Sequence, residues 1–90
     1  MRREPDFFGD RELVLIYIAK RLREALKLEG FLTEAALDYL VEPDRYTGGV
    51  VFRTERVGAF FYVLPDAEQT ARQLLLERGF RPHRPLEEAR

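Results

Sequence analysis

The segment Gly58-Ala59-Phe60-Phe61-Tyr62-Val63-Leu64 carries no charged side chain, and its aromatic and β-branched content reads as a strand. Side chains alternate along a strand, so Ala59, Phe61 and Val63 go to one side and Phe60, Tyr62 and Leu64 to the other. Neither side offers water a polar surface. A sheet built around this strand has to be covered on both faces, unlike an ordinary antiparallel sheet with one solvated side. Leu13-Val14-Leu15-Ile16-Tyr17-Ile18 repeats the pattern and reads as a second such strand. The rival is a helix beginning at Glu12, which would place Val14, Ile16 and Tyr17 on its polar side.

From Arg21 the period changes. Leu22, Ala25, Leu28 or Glu29, Leu32, and Ala35 or Ala36 recur at helical spacing among charged residues, which predicts an amphipathic helix. Gly30 suggests a bend or break in it, with Thr33 available to cap a second piece. Tyr39-Leu40-Val41-Glu42 predicts a strand stopped by Pro43, followed by a loop over Asp44-Arg45-Tyr46-Thr47-Gly48-Gly49. Val50-Val51-Phe52-Arg53-Thr54 predicts another strand, joined to Gly58–Leu64 by a turn at Glu55-Arg56-Val57. Pro65-Asp66 opens a last helix, with Asp66 as its cap and Gln69 reaching back. Ala67, Ala71, Leu74 and Leu75 form its buried stripe, and Gly79 at its end lets Phe80 fold back on Leu75.

This order predicts an α+β fold: a four-stranded, mostly antiparallel sheet with two helices on one face. Ninety residues, 46% of them apolar, suit one compact domain, divided here into a loose segment 1–10, a core 12–80 and a tail 81–90.

Composition narrows the chemistry. The chain has no Cys, Ser, Asn or Trp, and its one histidine is His83. Thiol and serine nucleophiles, disulfides and zinc ribbons are thereby excluded. Glu42 and Asp44 flank Pro43 but have no second carboxylate pair to work with, and His83 has no partner in sequence for metal or general-base duty. No catalytic residue, metal ligand or cofactor is therefore assigned, and the chain is not expected to be an enzyme. A net charge of −1 leaves no global attraction for nucleic acid or an anionic membrane. The longest apolar run, Leu13 to Ala19, is too short for a membrane span, and no secretory leader is recognised, so a cytoplasmic location is expected. The excess of Arg over Lys and the lack of Asn and Cys fit a thermophilic source, although a GC-rich genome produces the same Arg bias.

The strand before Arg21-Leu22-Arg23-Glu24-Ala25-Leu26, the stretch Ala36-Leu37-Asp38-Tyr39-Leu40-Val41-Glu42, and Val63-Leu64-Pro65-Asp66-Ala67-Glu68 leading to Leu74-Leu75 together resemble the small prokaryotic signal transducing protein domains. The resemblance runs from Glu12 to Gly79. It implies a ferredoxin-like α/β plait similar to nitrogen-regulatory signalling proteins, with no established catalytic activity and no catalytic residues to carry over. The aromatic hairpin from Val50 to Tyr62 departs from the shorter members of that group.

Two candidate sites follow. Phe60, Tyr62 and Leu64, with Phe52, form an apolar sheet face suited to a second copy of the chain, as a dimer. Rival covers are a nucleic acid stacking on Phe60 and Tyr62 with Arg53 and Arg56 on phosphate, or the chain's own ends through Phe7, Phe8, Phe80 and Leu86. Tyr46, Gly48, Gly49, Arg53 and Arg56 form a candidate ligand loop for a small-molecule effector in a cleft between subunits. The expected function is a regulatory or interaction module that self-associates through the aromatic sheet face, with a small-molecule effector or protein partner as its ligand; the alternatives are RNA or single-stranded nucleic-acid binding through the same face and small-molecule binding at a subunit cleft.

Overall fold

The structure, a computed structural model, describes residues 1–48 and 54–83. Six elements follow one another: α1 (Pro5–Phe8), β1 (Val14–Ala19), α2 (Leu22–Glu34), β2 (Leu40–Gly48), β3 (Thr54–Val63) and α3 (Pro65–Glu77). The sheet is three-stranded and antiparallel, in the order β1-β3-β2. The expected ferredoxin-like plait, a four-stranded sheet with two helices, is therefore corrected to three strands and three helices among the described residues.

Two local misreadings account for the strand count. Pro43 does not end its strand: it pairs with Ala59, and β2 continues to Gly48. On an edge strand the missing N–H of proline can face away from the ladder, so no sheet bond is lost. Glu55-Arg56-Val57 is not a turn either, because these residues pair with Thr47, Tyr46 and Arg45 inside a long hairpin. Of the expected loop Asp44–Gly49, Asp44 to Gly48 form the other arm of that hairpin, while Gly49 and most of the expected strand Val50–Thr54 lie outside the described residues. The additional helix, α1, begins with Pro5 at its first position, where a fixed φ is favourable and no donor is missed, and has Asp6 in its first turn.

Both outer strands run antiparallel to β3, so β1 and β2 are parallel and α2 is the crossover that carries the chain past the central strand. Helix α2 runs unbroken through Gly30 and buries Ala25, Leu28, Phe31 and Leu32, while α3 buries Ala71 and Leu75. These side chains pack with Ile16, Ala19, Phe61 and Val63 into one core on the first face of the sheet. The alternation in β1 is interrupted between Leu15 and Tyr17. The extra residue of this bulge, Ile16, is fully buried in the same core against which Tyr17 packs. Tyr39 closes one end: its ring stacks on Phe61, its hydroxyl donates to Glu29 O at 3.1 Å, and it pairs with Thr33 Oγ1 at 3.0 Å.

Helix ends decide how the elements join. In α3 the cap is Leu64, not Asp66; Pro65 takes the first helical position, which moves Asp66 into the first turn, where its charge meets the positive helix end. At the other end Gly79 has φ +86°, Gly79 N–H donates to Leu76 O, and Phe80 N–H donates to Leu75 O at 2.9 Å. This Schellman turn sends Phe80 back onto the core, edge-on to Tyr17. Helix α2 ends in the same way with Ala36 at φ 61°.

The second face is covered in part by the chain itself. Residues 1–3 lie along the outer edge of β2, where Arg3 N–H donates to Tyr39 O, yet β1 begins at the opposite edge. The segment between them has to cross the sheet, and with α2 and α3 on the first face it crosses the second. Phe8, Leu40 and Phe60 are buried outside the main core, as that crossing requires.

Candidate functional site

Residues of one strand share a face at every second position, so Gly58, Phe60 and Tyr62 line the second face with Leu15 and Ile18 of β1 and Leu40, Glu42 and Asp44 of β2. Phe60, the centre of the expected interface, is only 8% exposed. Tyr62 is half-buried, and its phenol is pushed above the usual tyrosine range first by burial and then by the charges of Asp44 and Glu42. Leu64 is half-buried at the start of α3, and Phe52 lies outside the described residues.

Of the expected ligand loop, Gly49 and Arg53 lie outside the described residues. Tyr46 and Arg56 are register partners in the hairpin, with Arg56 exposed and Tyr46 half-buried, and Gly48 is the last residue of β2. Tyr46 turns towards β1, where Lys20 Nζ stands 5.5 Å from its ring centroid.

Two surface features of the described residues escape the sequence reading. The first is a groove of about 310 Å³ between the first turn of α2 and the hairpin, with Val41, Pro43 and Ala59 among its apolar lining and Arg2, Lys20 and Arg21 also on its walls. On its sides stand Leu22 and Val57, 75% and 66% exposed, and one helical turn beyond Leu22 stands Leu26, 58% exposed. The helical stripe places Leu22 in the core, but the core instead takes Ala25, Leu28, Phe31 and Leu32. Leu22 and Leu26 lie four residues apart on a line that continues into the polar Glu29 and Thr33; that second line was the available signal.

The second feature is a cleft of about 750 Å³ beyond the end of β1. Tyr17 and Ile18 of β1, Tyr46 and Thr47 of β2, and Arg81 and His83 of the tail line it, together with Lys20, Arg21 and Glu24 around the start of α2. The tail wall is anchored: His83 N–H donates to Ile16 O at 2.6 Å, and Arg72 bonds both His83 O and, at 2.8 Å, Glu68. Burial and then the adjacent Glu24 carboxylate push the Tyr17 phenol up to about 12, so it remains a neutral hydroxyl at ordinary pH. Among the described residues no group of three metal-ligating side chains clusters, and no helix is long and apolar enough to cross a membrane.

No family model, no curated protein and no solved structure matches the chain. The resemblance to the signal transducing domains therefore rests on its own residues alone.

Proposed function

We propose that the chain is a non-catalytic interaction module that pairs with a second copy of itself. The observation that carries this reading is the exposed apolar ridge and groove formed by Leu22, Leu26, Val57, Val41 and Pro43. Single exposed apolar residues are ordinary on a protein surface, but grouped ones remain an unfavourable contact with water, at about 25 cal/mol per Å². The ridge and the groove adjoin on one surface, so a two-fold axis through that surface sets each copy's Leu22 ridge into the other's groove. The contact is thereby moved from the aromatic face, whose Phe60 is already covered, to the side carrying α2.

The nucleic-acid alternative is less well supported, because Phe60 has little surface left to stack on a base and Glu42 and Asp44 share its face. Light scattering on a sizing column tests the dimer. The wild-type chain is expected to elute at twice its 10.6 kDa mass, and Leu22→Asp with Val57→Asp at the single mass with its folded circular dichroism kept. A wild-type monomer at high protein concentration would sink the proposal.

A further inference from the structure

We infer that the cleft beyond the end of β1 binds a small molecule that joins a phosphate to a flat ring, the chemistry of a mononucleotide. Its volume, about 750 Å³, lies within the range of about 300–1,000 Å³ usual for small-molecule sites. Three cationic side chains, Lys20, Arg21 and Arg81, and the imidazole of His83 line it against one carboxylate, Glu24, although the chain as a whole carries a net charge of −1. Among the described residues none of these four lies in an ion pair with a carboxylate, whereas Arg2, Arg3, Arg45 and Arg72 each do. The four lining groups come from two separate stretches of chain, the β1–α2 junction and the tail, and they converge because Arg72 and Ile16 hold the tail in place. Arginine forks and a lysine point charge are the side chains that recognise phosphate oxygens.

A bare phosphate would leave most of this volume unfilled. The remaining walls include two tyrosines, Tyr17 and Tyr46, whose rings suit a planar group; the Lys20 ammonium stands 5.5 Å from the Tyr46 ring centroid, so a phosphate held by Lys20 lies next to that ring. Tyr46 is firmly seated, because it rests where a side chain on residue 58 would otherwise stand. A phosphate among the basic groups with a ring against the tyrosines uses both kinds of wall, which neither part alone does.

Calorimetric titration of the whole chain with adenosine monophosphate, ribose 5-phosphate and adenosine tests this. The nucleotide is expected to bind about tenfold or more tightly than either fragment, since each fragment forfeits one set of contacts. Lys20→Gln with Arg21→Gln, both exposed and so not needed for folding, is expected to weaken the nucleotide by at least about tenfold, and Arg81→Gln by a smaller factor. Tyr46→Leu is expected to bring the nucleotide down to the level of ribose 5-phosphate. The proposal is overturned by any of three results: no binding of the nucleotide at low salt, equal binding of all three compounds, or no loss in the Lys20/Arg21 variant. Binding of a single-stranded oligonucleotide without the mononucleotide also overturns it, since the basic groups would then serve a polyanion. Lys20 and Arg21 line both this cleft and the groove, so the variants that separate the two sites are Leu22/Val57, expected to keep nucleotide binding, and Tyr46→Leu and Arg81→Gln, expected to keep the dimer mass.

Discussion

Tyr46 lies so close over Gly58 that a Cβ on residue 58 would stand 3.0 Å from Tyr46 Cε1. Ile18 Cγ2 at 3.0 Å and Ala19 O at 3.1 Å close the same space from the neighbouring strand. Glycine is needed here for close approach and not for its backbone freedom. Gly58→Val forces these groups apart and is expected to cost about 2 kcal/mol, as other overpacked sites do. The urea midpoint measures it. Combining it with Tyr46→Ala should recover part of the loss, and strict additivity of the two changes would refute the contact.

Ala36 ends α2 in a conformation that side chains disfavour, with φ at 61°. It is held there by two backbone bonds, Ala36 N–H to Thr33 O at 2.9 Å and Leu37 N–H to Leu32 O at 3.1 Å. Glycine removes the clash between Cβ and the backbone, so Ala36→Gly is expected to stabilise the chain by about 1 kcal/mol, despite the greater freedom it gives the unfolded state. A lower thermal midpoint in calorimetry would contradict the cap geometry.

Three tyrosines govern the alkaline limb of stability. Tyr17 is raised from 10 to about 12, and Tyr39 and Tyr62 are raised as well, each chiefly by burial. A phenol whose folded value exceeds its unfolded one contributes fully below the unfolded value, near pH 10, and loses that contribution as pH rises to the folded value. Stability is therefore expected to fall from about pH 10 to about pH 12. Tyr17→Phe removes the largest of these ionisations and should make the fall shallower in a series of melts across that range. An unchanged limb would mean that Tyr17 is more hydrated than its surroundings here imply.

Arg72 ties three parts of the fold together: it pairs with Glu68 at 2.8 Å, donates to His83 O, and reaches Leu15 O at 3.4 Å. Arg72→Met keeps the buried stem but removes these donors, so the tail should come away from β1. Hydrogen exchange at the His83 amide, now bonded to Ile16 O, is expected to speed up by about tenfold or more, because the amide then opens locally without global unfolding. Exchange at the wild-type rate would show that the tail is held by something else.

Much of the local structure was legible. The two runs apolar on both faces lie within β1 and β3, and the C-terminal end of α3 follows from Gly79, while its cap is Leu64 where the sequence suggests Asp66. The cover demanded on both sheet faces is present in part on the second, where Phe60 is buried but Glu42 and Asp44 are exposed. The strand count is what local signals get wrong: Pro43 reads as a stop and Glu55–Val57 as a turn, because proline and charged residues punctuate a central strand but are tolerated on an exposed hairpin edge. Which strand is the edge is not a local property. The candidate site suffered for the same reason, since Phe60 is exposed or covered according to the path of residues 4–13, and Leu22 is core or surface according to the rotation of α2 about its axis.

The sequence by itself determined the alternation of strands and helices, the need for cover on both faces of the sheet, and the lack of thiol and serine chemistry. Each of these follows from side-chain period or from composition, which a chain carries whatever its fold. Tertiary structure decided the strand order, the crossing of the N-terminal segment under the sheet, and the meeting of Lys20, Arg21, Tyr46, Arg81 and His83 around one cleft. Those depend on which of several apolar surfaces bury each other. That choice is made by packing volumes and backbone pairing across many residues, and no short segment contains it.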